Sequence, residues 1–189
     1  MGCNSITLNG INSFCETSIG GIVEVYGIPS DAISGVTVAT AATIVESSSC
    51  VTNFGYSTTA HSISDWVLYK FRKDSSSLNK SYAYDDATGY AAYESELTML
   101  FTRMDAAKRA ELVALAMGGA KFIVKDANGH YWYLGMDNDV VVDQLTGQTG
   151  QAKTDGNYYQ VVVKDTAKQL PYEVEPGVAQ AIAAAIDAA

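Results

Sequence analysis

No lysine or arginine precedes Lys70, and after Lys168 the chain again carries only acids, Glu173, Glu175 and Asp187. All 12 basic residues therefore lie in the middle of the chain, against 21 acidic ones, for a formal net charge of −9. That balance excludes a surface that grips nucleic-acid phosphate through counterion release. The uneven layout suits a solvated face, and equally a molecule whose surfaces meet other copies of itself. Cysteine is scarce too. Cys3, Cys15 and Cys50 are far apart and form no CxxC pair, and His61 and His130 are the only histidines. A zinc cluster needs closely spaced thiolates or imidazoles, so the expectation is buried free thiols and no metal.

Long apolar runs are missing. Nothing approaches the roughly 18 consecutive apolar residues of a membrane-spanning helix. The start, Met1-Gly2-Cys3-Asn4-Ser5-Ile6, has neither the basic region nor the apolar stretch of a signal peptide. It also departs from the myristoylation pattern, because position 6 is Ile. The chain is expected to be soluble, unexported and without a membrane partner. Catalytic motifs are absent as well: there is no GxSxG, no GxxxxGK[ST] and no GxGxxG. Neither histidine sits in a nucleophile–base motif, so no enzyme, no catalytic residue and no cofactor is expected.

What the chain does have is period-two alternation. Gly35 to Glu46 is rich in Val, Thr and Ile and reads as a strand. Trp66 to Arg72 places Val67, Tyr69 and Phe71 on one face and Trp66, Leu68, Lys70 and Arg72 on the other. Tyr93 to Arg103 sends Leu97, Met99 and Phe101 one way and Glu94, Glu96, Thr98 and Thr102 the other, the pattern of a half-wet antiparallel strand. A helix interrupts the β pattern. Asp105 is a good N-cap, Ala106 to Met117 is built of strong helix formers, and Gly118-Gly119 supplies a left-handed stop.

Ala120 to Lys125 and His130 to Met136 then flank Asp126-Ala127-Asn128-Gly129 as a hairpin. Val140 to Asp143 reads as a short strand, Leu145 to Gln151 as a glycine-punctuated loop, and Asn157 to Lys164 as the last strand. Pro171 is expected to end the β region, and Pro176 to open a terminal helix from Gly177 to Ala189. The fold class is mostly β: an antiparallel β-sandwich or split barrel flanked by one α-helix, with a short C-terminal helix. Residues 1–175 form the domain and 176–189 a helical arm.

Three features invite a binding role. Asp126-Ala127-Asn128-Gly129 resembles the start of a calcium loop, but the twelfth position is Asp137 rather than a closing Glu, and a hairpin turn is the simpler account. Tyr131-Trp132-Tyr133 and Tyr158-Tyr159 could stack sugars, yet consecutive strand residues point to opposite sides, so no continuous platform follows. Glu94 and Glu96 share a strand face as paired carboxylates, for which an alternating wet face suffices.

From about Trp66 to Val174 the order of landmarks resembles a family of virion structural proteins from phages and prophages of Bacteroidetes. The matching pieces begin with Tyr69-Lys70-Phe71-Arg72-Lys73, Tyr93-Glu94, Leu97-Thr98-Met99-Leu100-Phe101, Met104-Asp105, Lys108-Arg109 and Glu111-Leu112. Ile123-Val124-Lys125-Asp126, Asn128-Gly129-His130-Tyr131-Trp132 and Leu134-Gly135-Met136-Asp137-Asn138 continue it. It closes with Gln148-Thr149-Gly150-Gln151-Ala152, Asp155-Gly156-Asn157-Tyr158-Tyr159 and Leu170-Pro171-Tyr172-Glu173-Val174.

The resemblance implies a tail-tube subunit, six copies to a ring, with rings stacked into a conduit for DNA. Its partners are then other copies of itself, further tail or neck proteins, and genomic DNA that passes without specific binding. Its location is the phage tail, assembled in the host bacterial cytoplasm. Alternatives are a neck or tail-completion protein that forms a single ring, and a sugar-binding decoration or adhesin module. Under the tube reading Glu94, Glu96, Thr98 and Thr102 are candidates for the channel wall, although an outer wet face has the same pattern. Val178, Ile182 and Ile186 make an apolar seam on the terminal helix. They are candidates for docking on a neighbouring subunit, the alternative being that the helix folds back on its own sheet.

Overall fold

Alternating side chains carry most of the chain into two stacked sheets. The computed structural model describes residues 18–39, 50–57, 60–72, 75–87, 89–152 and 154–188. The first strands are β1 (Ile22–Pro29), β2 (Ile33–Ala39), β3 (Cys50–Tyr56), β4 (Val67–Lys70), β5 (Ser77–Asp85) and β6 (Tyr90–Thr102). After helix α1 (Ala106–Gly118) come β7 (Ala120–Asp126), β8 (Tyr131–Leu134), β9 (Val141–Gln148), β10 (Tyr158–Ala167) and β11 (Tyr172–Val174), then helix α2 (Pro176–Asp187). The larger sheet has seven strands in the order β2-β3-β11-β8-β7-β1-β4, and the smaller has four in the order β5-β6-β10-β9. Neighbours are antiparallel except β11 and β3, which run parallel.

Two apolar layers hold these sheets. Between them lie Val25, Phe122, Val124 and Leu134 of the large sheet and Leu97, Met99, Val161 and Val163 of the small one, closed at one end by Leu112 of α1. On the far face of the large sheet, Tyr26, Ile28, Ile123 and Tyr133 pack against Ala179 and Ile182 of α2. Each large side chain fully buried in this way contributes roughly 1.5–3 kcal/mol. Strand β1 serves both layers, with Val25 on one side and Tyr26 and Ile28 on the other. At Gly27 a Cβ would stand 2.7 Å from the Tyr69 ring and 3.1 Å from Phe122, so only glycine lets the aromatic residues close over the strand.

The sheets cross steeply. Lys80, Ser95 and Asp165 form one row across β5, β6 and β10. Lys80 meets Trp132 at one end of that row, and Asp165 accepts a hydrogen bond from the Gly135 N–H at the other. A row perpendicular to the small-sheet strands thus follows the direction of β8, which is near-orthogonal packing. Strand β6 consequently runs across the large sheet, and its far end reaches β4, where Phe101 packs edge-on to Tyr69 at 6.0 Å.

Several expectations hold. Asp105 caps α1 by accepting from the Lys108 N–H at 2.8 Å, and Gly119 ends that helix at φ 67°. Tyr69 and Phe71 join the inter-sheet layer while Trp66 and Leu68 join the other, as alternation requires. Others need correction. The strand expected from Gly35 to Glu46 is β2, ending at Ala39, and the remainder lies outside the described residues. The segment read as a loop from Leu145 is strand as far as Gln148, because β10 pairs with it up to Tyr158–Gln148. Pro171 does not end the β region: β11 follows it and inserts between β3 and β8.

The helical arm is not a separate element. Helix α2 packs into the second layer of its own chain, with Ala179 and Ile182 each 1% exposed and Val178 and Ile186 packed beside them. The seam is apolar because it covers the large sheet, so Ile182 offers no surface to a neighbour. Among the described residues no helix is long and apolar enough to cross a membrane.

Candidate functional site

Strand β6 is the long element of the small sheet, with 13 residues, and period two sorts its side chains between core and solvent. Leu97 and Met99 are fully buried, while Glu94 and Thr102 are exposed and Glu96 and Thr98 half-buried on the opposite face. The four candidate wall residues therefore do share one face of one strand. Register extends that face sideways. Ser77, Asn79 and Ser81 of β5 stand opposite Thr98, Glu96 and Glu94, and Val162, Lys164 and Thr166 of β10 stand opposite the same three.

Charge on this face is balanced locally and acidic in sum. Lys164 Nζ lies 3.0 Å from Asp143 Oδ2 on β9. That hydrogen bond holds the lysine pKa above its ordinary value, with Asp143, Glu96 and Glu94 adding Coulomb attraction. One cation is shared among three carboxylates, and Ser, Thr and Asn supply most of the rest. The result is a wetted, mildly acidic wall that offers phosphate little to hold.

The aromatic run on β8 splits as expected. Tyr131 and Tyr133 enter the layer under α2, and Trp132 enters the inter-sheet layer. Trp132 is the hub of a polar cluster at the mouth of that layer. Lys80 Nζ sits 3.2 Å above the Trp132 ring, and Trp132 Nε1 donates to Asp126 Oδ2 at 3.1 Å. The lysine remains open to solvent along one flank, yet desolvation of the ammonium lowers its pKa to about 8 against the pull of Asp126 and Glu173. Asp126 Oδ1 accepts from the backbone N–H groups of Asn128 and His130, both at 2.9 Å, the pattern of a turn-forming aspartate. Among the described residues no group of three His, Cys, Asp or Glu side chains could hold a metal ion.

No family model, curated protein or solved structure matches the chain.

Two surface features escaped the sequence reading. The first is the tyrosine pair at the tip of the β5–β6 hairpin. Tyr82 and Tyr84 are 55% and 60% exposed, with near-parallel rings 6.5 Å apart. Their i, i+2 spacing was a signal, but β5 (SLNKSYAYD) is too polar to read as a strand without its partner. The second is Arg103, which has a left-handed backbone at φ 63° where β6 turns into α1. No sequence pattern marks that.

Proposed function

We propose that the chain is a structural virion subunit that self-assembles into rings, six copies each, stacked as a tail tube through which genomic DNA passes. The carrying observation is the small sheet. Its outer face carries Glu94, Glu96, Thr98 and Thr102 of β6, interrupted by Ala92 and Leu100, and among the described residues the strands that end its order, β5 and β9, each pair on one side only. Unpaired edges invite addition of further strands, and a closed ring of copies satisfies both edges at once. The acid-rich wall fits a conduit, since duplex DNA must move along it without being held. The order of landmarks from Trp66 to Val174 supports the same reading. Partners in that setting are other copies and further tail or neck proteins, and the site of assembly is the bacterial cytoplasm.

Negative-stain electron microscopy of the purified protein tests this. Long hollow tubes are the expected result. Isolated rings that never stack would assign a neck position instead, and monomers persisting at high concentration would overturn self-assembly altogether.

A further inference from the structure

The ends of β6 carry complementary surfaces. Pairing of β6 with β10 stops at Tyr93–Ala167, whereas pairing with β5 continues to Tyr90–Asp85. The hairpin therefore projects past its third strand. Its tip is aromatic and acidic: Tyr82 packs on Tyr93 at 5.0 Å, and Tyr84 Oη donates to Asp86 Oδ1 at 3.3 Å. Most other aromatic side chains of the chain are packed into one of the two apolar layers, so this exposed pair is the exception. Electron-rich ring faces beside carboxylates fit a planar cation, above all a guanidinium, which stacks and hydrogen-bonds together.

The opposite end of β6 supplies such a group. Arg103 holds a backbone conformation that bulky residues seldom adopt. Its N–H donates to the Asn157 carbonyl at 2.7 Å, and its own carbonyl accepts from Lys108 Nζ at 2.9 Å. Main chain is thus pinned while the side chain is presented to solvent. Arg109, on the first turns of α1, is exposed as well. Among the described residues neither arginine makes a side-chain hydrogen bond or ion pair. Strained backbone clusters where contacts are made, and here it presents a charge that Asp105 offsets only through space.

Thirteen strand residues separate tip from arginines, roughly 40 Å at the usual rise per residue. One molecule cannot bring them together. Two can. We infer that the hairpin tip of one copy, through Tyr82, Tyr84 and Asp86, docks on Arg103 and Arg109 of the next. Each copy uses two different surfaces, so the contact is head-to-tail and either closes a ring or propagates a filament. This inference rests on the self-assembly reading and names the contact that drives it.

The test is a charge swap read by light scattering over a concentration series. One variant carries Arg103→Glu with Arg109→Glu; the other carries Asp86→Arg. Each alone is expected to raise the half-assembly concentration by more than about tenfold, as like charges meet across the contact. An equimolar mixture is expected to recover association, because each variant's altered surface then faces the other's. Should either variant lose its cooperative thermal transition, Tyr82→Ser with Tyr84→Ser replaces it and is expected to weaken assembly likewise. Assembly of the variants at the wild-type threshold, or a mixture that fails to recover, overturns the contact and leaves self-assembly standing. A wild-type protein that stays monomeric overturns both.

Discussion

Asp165 and Tyr133 line one cavity of about 70 Å³, and among the described residues neither finds a hydrogen-bond partner for one buried oxygen, Oδ1 of the carboxylate and the phenol oxygen. Burial raises the Asp165 pKa despite the hydrogen bond from the Gly135 N–H, and burial also pushes up that of Tyr133, with the Asp165 charge adding to it. The protonated acid is therefore favoured by the fold relative to the unfolded chain. Stability from this group is present at low pH and is lost as pH rises from 3.8 through the folded value. Asp165→Asn keeps an acceptor for Gly135 and adds a donor without charge. It is expected to stabilise the protein at pH 7 by about 1–3 kcal/mol, the cost of an unsatisfied buried polar group. Urea titrations at pH 4 and pH 7 check it. A gain that does not grow between the two would remove the argument.

His130 and Glu173 behave in the opposite sense. His130 Nδ1 lies 2.7 Å from Glu173 Oε1, and that hydrogen bond, helped by the charges of Glu173 and Asp126, raises the imidazole pKa above 6.5. A raised histidine contributes stability fully below 6.5 and loses it as pH climbs through the folded value. The pair is substantially exposed, so its contribution stays under about 1 kcal/mol. In Glu173→Gln the His130 titration, followed by NMR, is expected to move down toward 6.5, and the pH dependence of unfolding above 6.5 to flatten.

Ile182 is where an assembly role gives way to a core one. With 1% exposure beneath α2, its truncation to Ala leaves a cavity against Val51, Ile123 and Val174 in the same layer. Ile182→Ala is expected to cost roughly 2–5 kcal/mol in a chemical denaturation of the dilute protein. Removal of the chain after Val174 is expected to cost more. A truncated protein with an unchanged thermal midpoint would return the helix to the surface.

On the small sheet, Glu94→Lys with Glu96→Lys replaces two of the three carboxylates around Lys164. Both changes lie on the wet face and leave the buried Leu97 and Met99 untouched, so folding is expected to survive within about 0.5 kcal/mol. Under the conduit reading, particles carrying both eject DNA more slowly, and retardation of DNA by assembled protein appears in a gel at low salt. Normal ejection with no retardation would place this face outside the channel.

Legibility in the sequence followed the number of faces a strand exposes to water. Strand β6 was readable because Glu94, Glu96, Thr98 and Thr102 alternate with Leu97, Met99 and Phe101, so both its existence and its wet face emerged from period two. Strand β1 was not, since from Val25 to Ile28 it is covered on both sides and Ile22-Val23-Glu24-Val25-Tyr26 carries no clean alternation. Strand β5 failed for the reverse reason, with polar side chains on both faces and pairing to β6 as its support. The Val178–Ile182–Ile186 seam shows a general limit. Periodicity identifies a face that must be covered, but it does not say by which molecule. Arg103 lay further out of reach, because its conformation is imposed by Asn157 and Lys108 from outside its own segment.

Strand β11 comes from residues 172–174, yet it sits third in the seven-strand order and joins the β2–β3 hairpin to everything else. Its parallel ladder to Cys50 and Val51 links positions more than a hundred residues apart. While the chain emerges from the ribosome, β3 and β8 therefore have no neighbour on their facing edges until residues 172–174 have been made. A nascent chain stalled before Tyr172 presents two open edges to which other strands can add. The large sheet thus closes on a contact of high sequence separation, so its folding is expected to be slow and to expose strand edges on the way.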